Sequence, residues 1–194
     1  MDKRTFLTTA AAGIAASSVG AIAQSAVKSD RGPSLLSISG AISNSNRGPL
    51  DPALDQMMHK QNVAFAKAYT FDFAEIAALS AVSIKPTLEY DAKLHALRGP
   101  LLIDVITKAG VQAHATKMLL RAVDGYAVQI SLNDARKYGF IVATHLDNQP
   151  MPLGGLGPLW AVYDADRFPE MAAKPVNQRF ALCPWALYHI DVQA

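Results

Sequence analysis

The chain has 194 residues, 51% of them hydrophobic and 18% charged, with a formal net charge of +2. That is enough apolar material for one well-filled core, and one domain is the expectation at this length. Basic residues are scattered rather than clustered beside aromatic ones, which excludes a nucleic-acid footprint, and the single cysteine, Cys183, excludes an intrachain disulfide, a Cys-x-x-Cys redox pair and a thiolate zinc site.

Residues 1–23 read as an export signal. Lys3 and Arg4 give a charged start, Thr5 to Ala23 is uncharged, and Ala21-Ile22-Ala23 puts small residues at the two positions a signal peptidase reads, so cleavage is expected after Ala23. The stretch is long enough to cross a bilayer. Only Phe6, Leu7, Ile14, Val19 and Ile22 are strongly apolar, however, so removal is expected rather than anchoring, with no membrane insertion of the mature chain. Lys3-Arg4-Thr5-Phe6-Leu7 resembles a twin-arginine signal with lysine in place of the first arginine, and the same pair also suits the general secretory route. The expected location is periplasmic or otherwise exported.

Polar residues 24–33 read as a flexible lead-in to a domain over 34–194. Alternation predicts a first strand from Ser34 to Ile42, followed by a loop from Asn44 to Pro52, a short helix from Ala53 to Lys60 and a strand from Val63 to Tyr69. Asp72 with Glu75 three residues later has the form of a capping box opening a helix from Phe73 to Leu79. Ala81 to Tyr90 is extended, with Pro86 confining it to an edge or bulge. Pro100 is expected in the first turn of a helix carrying Leu101, Leu102, Val105 and Ile106 and ending at Gly110. Asp124-Gly125 between Lys117–Val123 and Tyr126–Leu132 is the strongest hairpin signal. Residues 140–146 and 158–163 read as strands around the Asp147-Asn148 turn and the loop Gly154 to Gly157, and the chain closes on a strand with Tyr188, Ile190 and Val192 inward. The class is α+β and sheet-dominated, with a few short helices.

Isolated chemical motifs are weak. Gly154-Gly155-Leu156-Gly157 lacks the Lys-Ser/Thr of a phosphate loop and runs into Pro158-Leu159-Trp160, which reads as a strand. His59, His95, His114, His145 and His189 show no zinc spacing, so no metal ligand is assigned, and no Gly-x-Ser-x-Gly elbow is present, so no catalytic residue is assigned either. Cys183, before Pro184-Trp185, reads as a buried, inert thiol. Aromatic residues Trp160, Tyr163, Phe168, Phe180, Trp185 and Tyr188 crowd the last third, where core packing explains most of them.

The order of pieces is more specific. Phe71-Asp72-Phe73-Ala74-Glu75-Ile76, Thr87-Leu88, Leu97-Arg98-Gly99-Pro100-Leu101-Leu102-Ile103-Asp104-Val105-Ile106 with Gly110, and Asp124-Gly125-Tyr126-Ala127-Val128-Gln129-Ile130 follow one another. Ala143-Thr144-His145-Leu146-Asp147-Asn148-Gln149-Pro150-Met151 and Gly157-Pro158-Leu159-Trp160 then complete the series. From about Leu35 to Val192 the chain resembles the short, exported branch of the sulfite-oxidase-type (oxidoreductase) molybdopterin-binding domain family. The resemblance implies that fold. In the family's enzymes it also implies molybdenum held by a pterin dithiolene and one cysteine, with an arginine and a lysine facing the cofactor's anionic groups. Here the cysteine's region reads Thr87-Leu88-Glu89-Tyr90, Trp160 stands in the arginine's place, and Trp185 stands in the second motif without its lysine. Oxygen ligands do not replace a soft thiolate, and a pterin phosphate without cationic partners is poorly held.

Two functional readings follow. One is an exported domain, non-catalytic or atypical, that uses the family's pocket for a small-molecule ligand or a periplasmic partner protein and carries no cofactor. The other is a molybdopterin-dependent oxidoreductase with unusual metal ligation. By the resemblance the pocket candidates are Tyr90, Arg98, Tyr126, His145, Trp160 and Trp185.

Overall fold

The computed structural model describes residues 31–194; the expected signal segment lies outside the described residues, as does all of the lead-in but its last three residues. Those three begin the described fold in contact with it. Arg31 pairs with Glu75 at 2.6 Å, and the backbone N–H of Gly32 donates to Asp72 Oδ2 at 2.8 Å.

A five-stranded sheet is the backbone of the domain. Its order is β2 (Tyr69–Phe71), β1 (Leu36–Gly40), β11 (Leu187–Gln193), β5 (Lys117–Ala122), β6 (Ala127–Ser131). The pair β1 and β11 is parallel and the other pairs are antiparallel. A second sheet runs β3 (Ala81–Ile84), β4 (Leu97–Pro100), β8 (His145–Leu146), β9 (Gln149–Pro150), and a two-stranded ribbon pairs β7 (Ile141–Ala143) with β10 (Trp160–Val162). One continuous core of buried side chains joins these sheets, including Leu36, Ile38, Leu97, Leu102, Met118, Phe140, Trp160, Tyr163 and Ile190.

Local chemistry made several elements as expected. The Asp72–Glu75 capping box is formed in both directions and opens α2 (Phe73–Ala77), after the short α1 (Gln56–Lys60). Asp124-Gly125 closes the β5–β6 hairpin, with Gly125 at φ +94, and Asp147 and Asn148, both at positive φ, close β8 on β9. The strand β3 stops before Pro86 and lies at a sheet edge. Gly110, at φ +76, ends α3 (Leu102–Lys108) in a Schellman motif: its N–H donates to Thr107 and that of Val111 to Ile106.

Other expectations need correction. Pro100 closes the strand β4 instead of opening the helix, and Leu101 is the N-cap of α3. The reason lies at Gly99, where any Cβ would collide with the Val142 carbonyl: the chain must cross β7 backbone to backbone before it can turn into a helix. Val63–Tyr69 is not a strand. Its backbone bonds go out singly, as at Leu50 to Phe65 and between Arg47 and Ala68, and the regular strand begins only at Tyr69. Leu132 does not end β6 but begins α4 (Leu132–Lys137), because the Ser131 hydroxyl accepts the Asp134 N–H and caps it. Residues 140–146 split at Thr144, which bonds to the Arg98 carbonyl through both N–H and hydroxyl, so β7 and β8 join different partners. In β11 a register shift between Leu187 and His189 sends Tyr188 to the face opposite Ile190 and Val192, where it packs with Met58 and Val63. The strand is central and buried on both faces.

Candidate functional site: an acidic aromatic cleft

Three segments build the cleft. The first is the connection from β3 to β4, which carries Glu89 and Tyr90. It is folded on itself by Leu88 N–H to Lys93 O at 2.9 Å and Ala92 N–H to Leu88 O at 3.0 Å, with the Leu88 side chain buried. The second is the β5–β6 turn, where the Tyr126 N–H donates to Asp124 Oδ1 at 2.8 Å. The third is the segment from Asn177 to Trp185, which follows α5 (Pro169–Ala172) and begins within a single 3-10 turn at Val176–Gln178.

Two ties fix these walls. Asp166 accepts the Thr87 N–H on Oδ2 at 2.7 Å and the Arg179 Nη1–H on Oδ1 at 2.7 Å, so one carboxylate holds the first and third segments together. Arg179 spends its other donors on the carbonyls of Ala172 and Lys174 at 2.6 and 2.9 Å. The Tyr126 hydroxyl donates to the Ala181 carbonyl at 2.7 Å and ties the second segment to the third. Such side chain to backbone bonds, in a region short of regular strand, give the walls fixed positions.

The space enclosed is about 330 Å³, lined by Glu89, Tyr90, Asp124, Tyr126, Phe180 and Trp185, with Asn177, Ala181 and Cys183 completing it. Tyr90, Tyr126 and Trp185 are 57%, 48% and 36% exposed. Every exposed aromatic side chain among the described residues therefore sits in this one cleft. Two carboxylates share the lining and no Lys, Arg or His does. Glu89 is half-buried, and among the described residues no cation pairs with its carboxylate, which neighbours the Tyr90 hydroxyl. Tyr90 is held as a neutral phenol: desolvation, reinforced by the Glu89 charge, pushes its pKa up to about 12. Burial drives the Cys183 thiol far above its ordinary range, so Cys183 is an inert wall rather than a nucleophile or a thiolate ligand.

The six pocket candidates thus separate. Tyr90, Tyr126 and Trp185 converge on the cleft. Trp160 is 1% exposed and stands behind it, its indole N–H donating to the Cys183 carbonyl at 2.9 Å and its ring 6.0 Å from that of Phe180. Arg98 and His145 face each other as register partners on β4 and β8, outside the lining. His145 there takes part in a 2.8 Å bond with Thr144 and packs against Phe73. Sequence reasoning missed Asp124 and Asn177 as lining residues, Asp166 as the tie, and Glu89 as anything but a failed ligand. Asp124 was visible only as a turn residue.

As a donor set the cleft does not fit the molybdopterin that the family resemblance implies. The position of the ligand cysteine carries Glu89 and Tyr90, and the phenol keeps its proton. The one thiol is desolvated and protonated, and the lining holds two carboxylates and no cation, whereas an anionic phosphate needs cations. Among the described residues no group of three or more His, Cys, Asp or Glu is arranged to hold a metal ion.

No family model matches the sequence, and no curated protein matches it either. Solved structures do. The sulfane dehydrogenase SoxCD from Paracoccus pantotrophus superposes with a TM-score of 0.56 at 8% sequence identity, covering 81% of this chain and 37% of that one. At that identity the likeness is one of fold alone, and the chain spans well under half of the SoxCD chain it matches. The fold is the α+β, sheet-dominated, sulfite-oxidase-type fold that the order of motifs implied.

Proposed function

We propose that this chain is an exported, non-catalytic or atypical member of the sulfite-oxidase-type molybdopterin-binding family, and that it binds a small molecule in the cleft between Tyr90, Tyr126 and Trp185. The observation that carries this reading is the gathering of all exposed aromatic side chains, among the described residues, around one cleft with rigidly tied walls. Water-exposed aromatic surface is an unfavourable thing to keep, and a concave site of about 330 Å³ with a few polar groups is the usual form of a ligand pocket. The same reading makes Glu89 a recognition group rather than a lost metal ligand.

The alternative, a molybdopterin-dependent oxidoreductase of unusual ligation, draws support from the likeness in fold to a sulfane dehydrogenase. It would need Glu89 or Tyr90 as an oxygen ligand, and Tyr90 holds its proton up to a pKa of about 12. The cleft chemistry favours the first reading.

Both tryptophans of the chain, Trp160 and Trp185, give an indole N–H signal in a nitrogen-labelled spectrum. Adding a concentrated extract of periplasmic metabolites is expected to shift the Trp185 signal and leave that of Trp160 in place. No shift at Trp185 contradicts a small-molecule site there. Export is checked separately by intact mass: a chain beginning at Gln24 in the periplasmic fraction is expected, and a full-length species pelleting with membranes contradicts it.

A further inference from the structure

We infer that the ligand of this cleft is an organic cation, of the substituted ammonium class, held by aromatic faces and the carboxylates of Glu89 and Asp124. The inference rests on the small-molecule reading above and adds the charge of what binds.

The lining is chemically one-sided. Four aromatic rings, Tyr90, Tyr126, Phe180 and Trp185, surround a space that also contains two carboxylates and no basic side chain. Aromatic faces carry a negative quadrupole and attract cations, with Trp the strongest and with most effect where water is excluded. A cage of such faces suits a bulky, weakly hydrated ammonium, which gains little from ordinary hydrogen bonds and much from polarisable surface. An anion would meet Glu89 and Asp124 without a compensating charge. A neutral apolar molecule would gain the aromatic surface and leave Glu89 half-desolvated and unpaired, at a cost the protein already bears when the cleft holds only water.

Glu89 is the second, independent observation. Two other partly buried acids have a cation at hand, Asp55 with Arg47 and Asp166 with Arg179. Glu89 is the half-buried acid of the cleft for which the described residues supply no cation, its neighbour being the neutral Tyr90 phenol. A cationic ligand supplies the missing charge. Tyr90 remains a neutral ring at ordinary pH, and the Tyr126 hydroxyl is already committed to Ala181, so its ring face is what it offers. Asn177 at the rim gives a hydrogen-bonding group for the polar end of a ligand whose ammonium lies deeper.

The test is a comparison of three probes of one shape by titration calorimetry on the whole mature protein: choline, its neutral carbon isostere 3,3-dimethylbutanol, and the anion 3,3-dimethylbutanoate. We expect choline to bind about tenfold or more tighter than the neutral isostere and the anion not to bind. Glu89→Gln is expected to erase most of that preference while leaving the affinity for 3,3-dimethylbutanol unchanged. Trp185→Ala should weaken both probes. Equal binding of choline and the neutral isostere overturns the cation inference and leaves the small-molecule reading standing, as does tighter binding of the anion. No binding by any probe, with the indole signal of Trp185 also unmoved by metabolites, overturns both. Thermal unfolding of each variant separates loss of binding from loss of fold, and His145→Gln, outside the lining, is the control whose binding should match the parent.

Discussion

Two regions of this molecule combine aromatic rings with polar groups, and they end in opposite states. On one face of the five-stranded sheet, Ser39, His189 and Tyr188 lie beneath the segment from Arg47 to Val63; Phe65 stacks on His189 at 6.3 Å, Arg47 lies over Phe65 at 5.2 Å, and the Tyr188 hydroxyl donates to Gln61 at 2.8 Å. There Tyr188 and His189 are buried and Phe65 is half-buried. Ser39 and His189 share a 3.0 Å bond in a buried site, and His189 Nδ1 is left without a partner among the described residues. In the cleft the rings are open and Glu89 is unpaired. The difference shows that aromatic content does not distinguish packing from binding; what distinguishes them is whether the chain closes over its own rings.

The two tryptophans give the largest contrast. Trp160→Ala removes a fully buried ring and its bond to Cys183, and should cost about 3–5 kcal/mol by denaturant unfolding. Trp185→Ala is expected to cost no more than about 1 kcal/mol, because the ring serves the cleft and not the core. Comparable losses would make Trp185 a packing residue and remove the contrast.

A second contrast is in pH. Burial lowers the pKa of His189 to about 4, with Asp191 opposing and Arg121 and Arg47 assisting, so the folded state keeps it neutral. An unfolded histidine near 6.5 takes up a proton first, so stability should fall as pH drops from about 6.5 to about 4, by roughly 3 kcal/mol at most, and level off below. His189→Gln should flatten that acid limb. His95 behaves in the opposite sense. Its ring bonds Asp147 at 2.7 Å and Asp91 at 3.1 Å, and these carboxylates raise its pKa while their own are lowered. Its contribution is complete below about 6.5 and is lost as pH rises through its raised value. Because Asp91 adjoins Tyr90, amide exchange at Leu88 and Ala92 should quicken above that pH, and His95→Gln should abolish the change. A pH-independent exchange rate there would show that the clamp does not steady this wall.

Asp166→Ala is expected to cost about 2 kcal/mol, since it releases the Thr87 N–H and Arg179 together. More tellingly, it should weaken cleft binding without touching the lining. Gly125→Val should cost about 1–3 kcal/mol: nothing lies within 4 Å of a Cβ there, so the cost is the strain of φ +94 alone. An unchanged midpoint would place that strain elsewhere.

What was legible in the sequence was local chemistry. Asp72 with Glu75, Asp124-Gly125 and Asp147-Asn148 each fix a backbone shape within four residues, and each formed as read. Gly99-Pro100 misled because its glycine answers to Val142, far along the chain, and the shift that turns Tyr188 over in β11 leaves no pattern in the residues themselves. Ser131 and Asp134 did carry a capping signal, hidden by the apolar alternation running into Leu132. The order of motifs named Tyr90, Tyr126 and Trp185, which line one cleft, yet it could not say which way a side chain points. Arg98 and His145 consequently fell outside the lining and Trp160 behind it.

The sharpest measurement concerns the relation of this cleft to the cofactor its fold suggests. Protein purified from its native host should be analysed for molybdenum by elemental mass spectrometry, and for pterin by fluorescence after acid release and oxidation. With Glu89 and Tyr90 where the family resemblance expects the ligand cysteine, and no cation in the lining, neither is expected in stoichiometric amount. About one molybdenum per chain with matching pterin would contradict the replacement of the cofactor site by an acidic aromatic cleft.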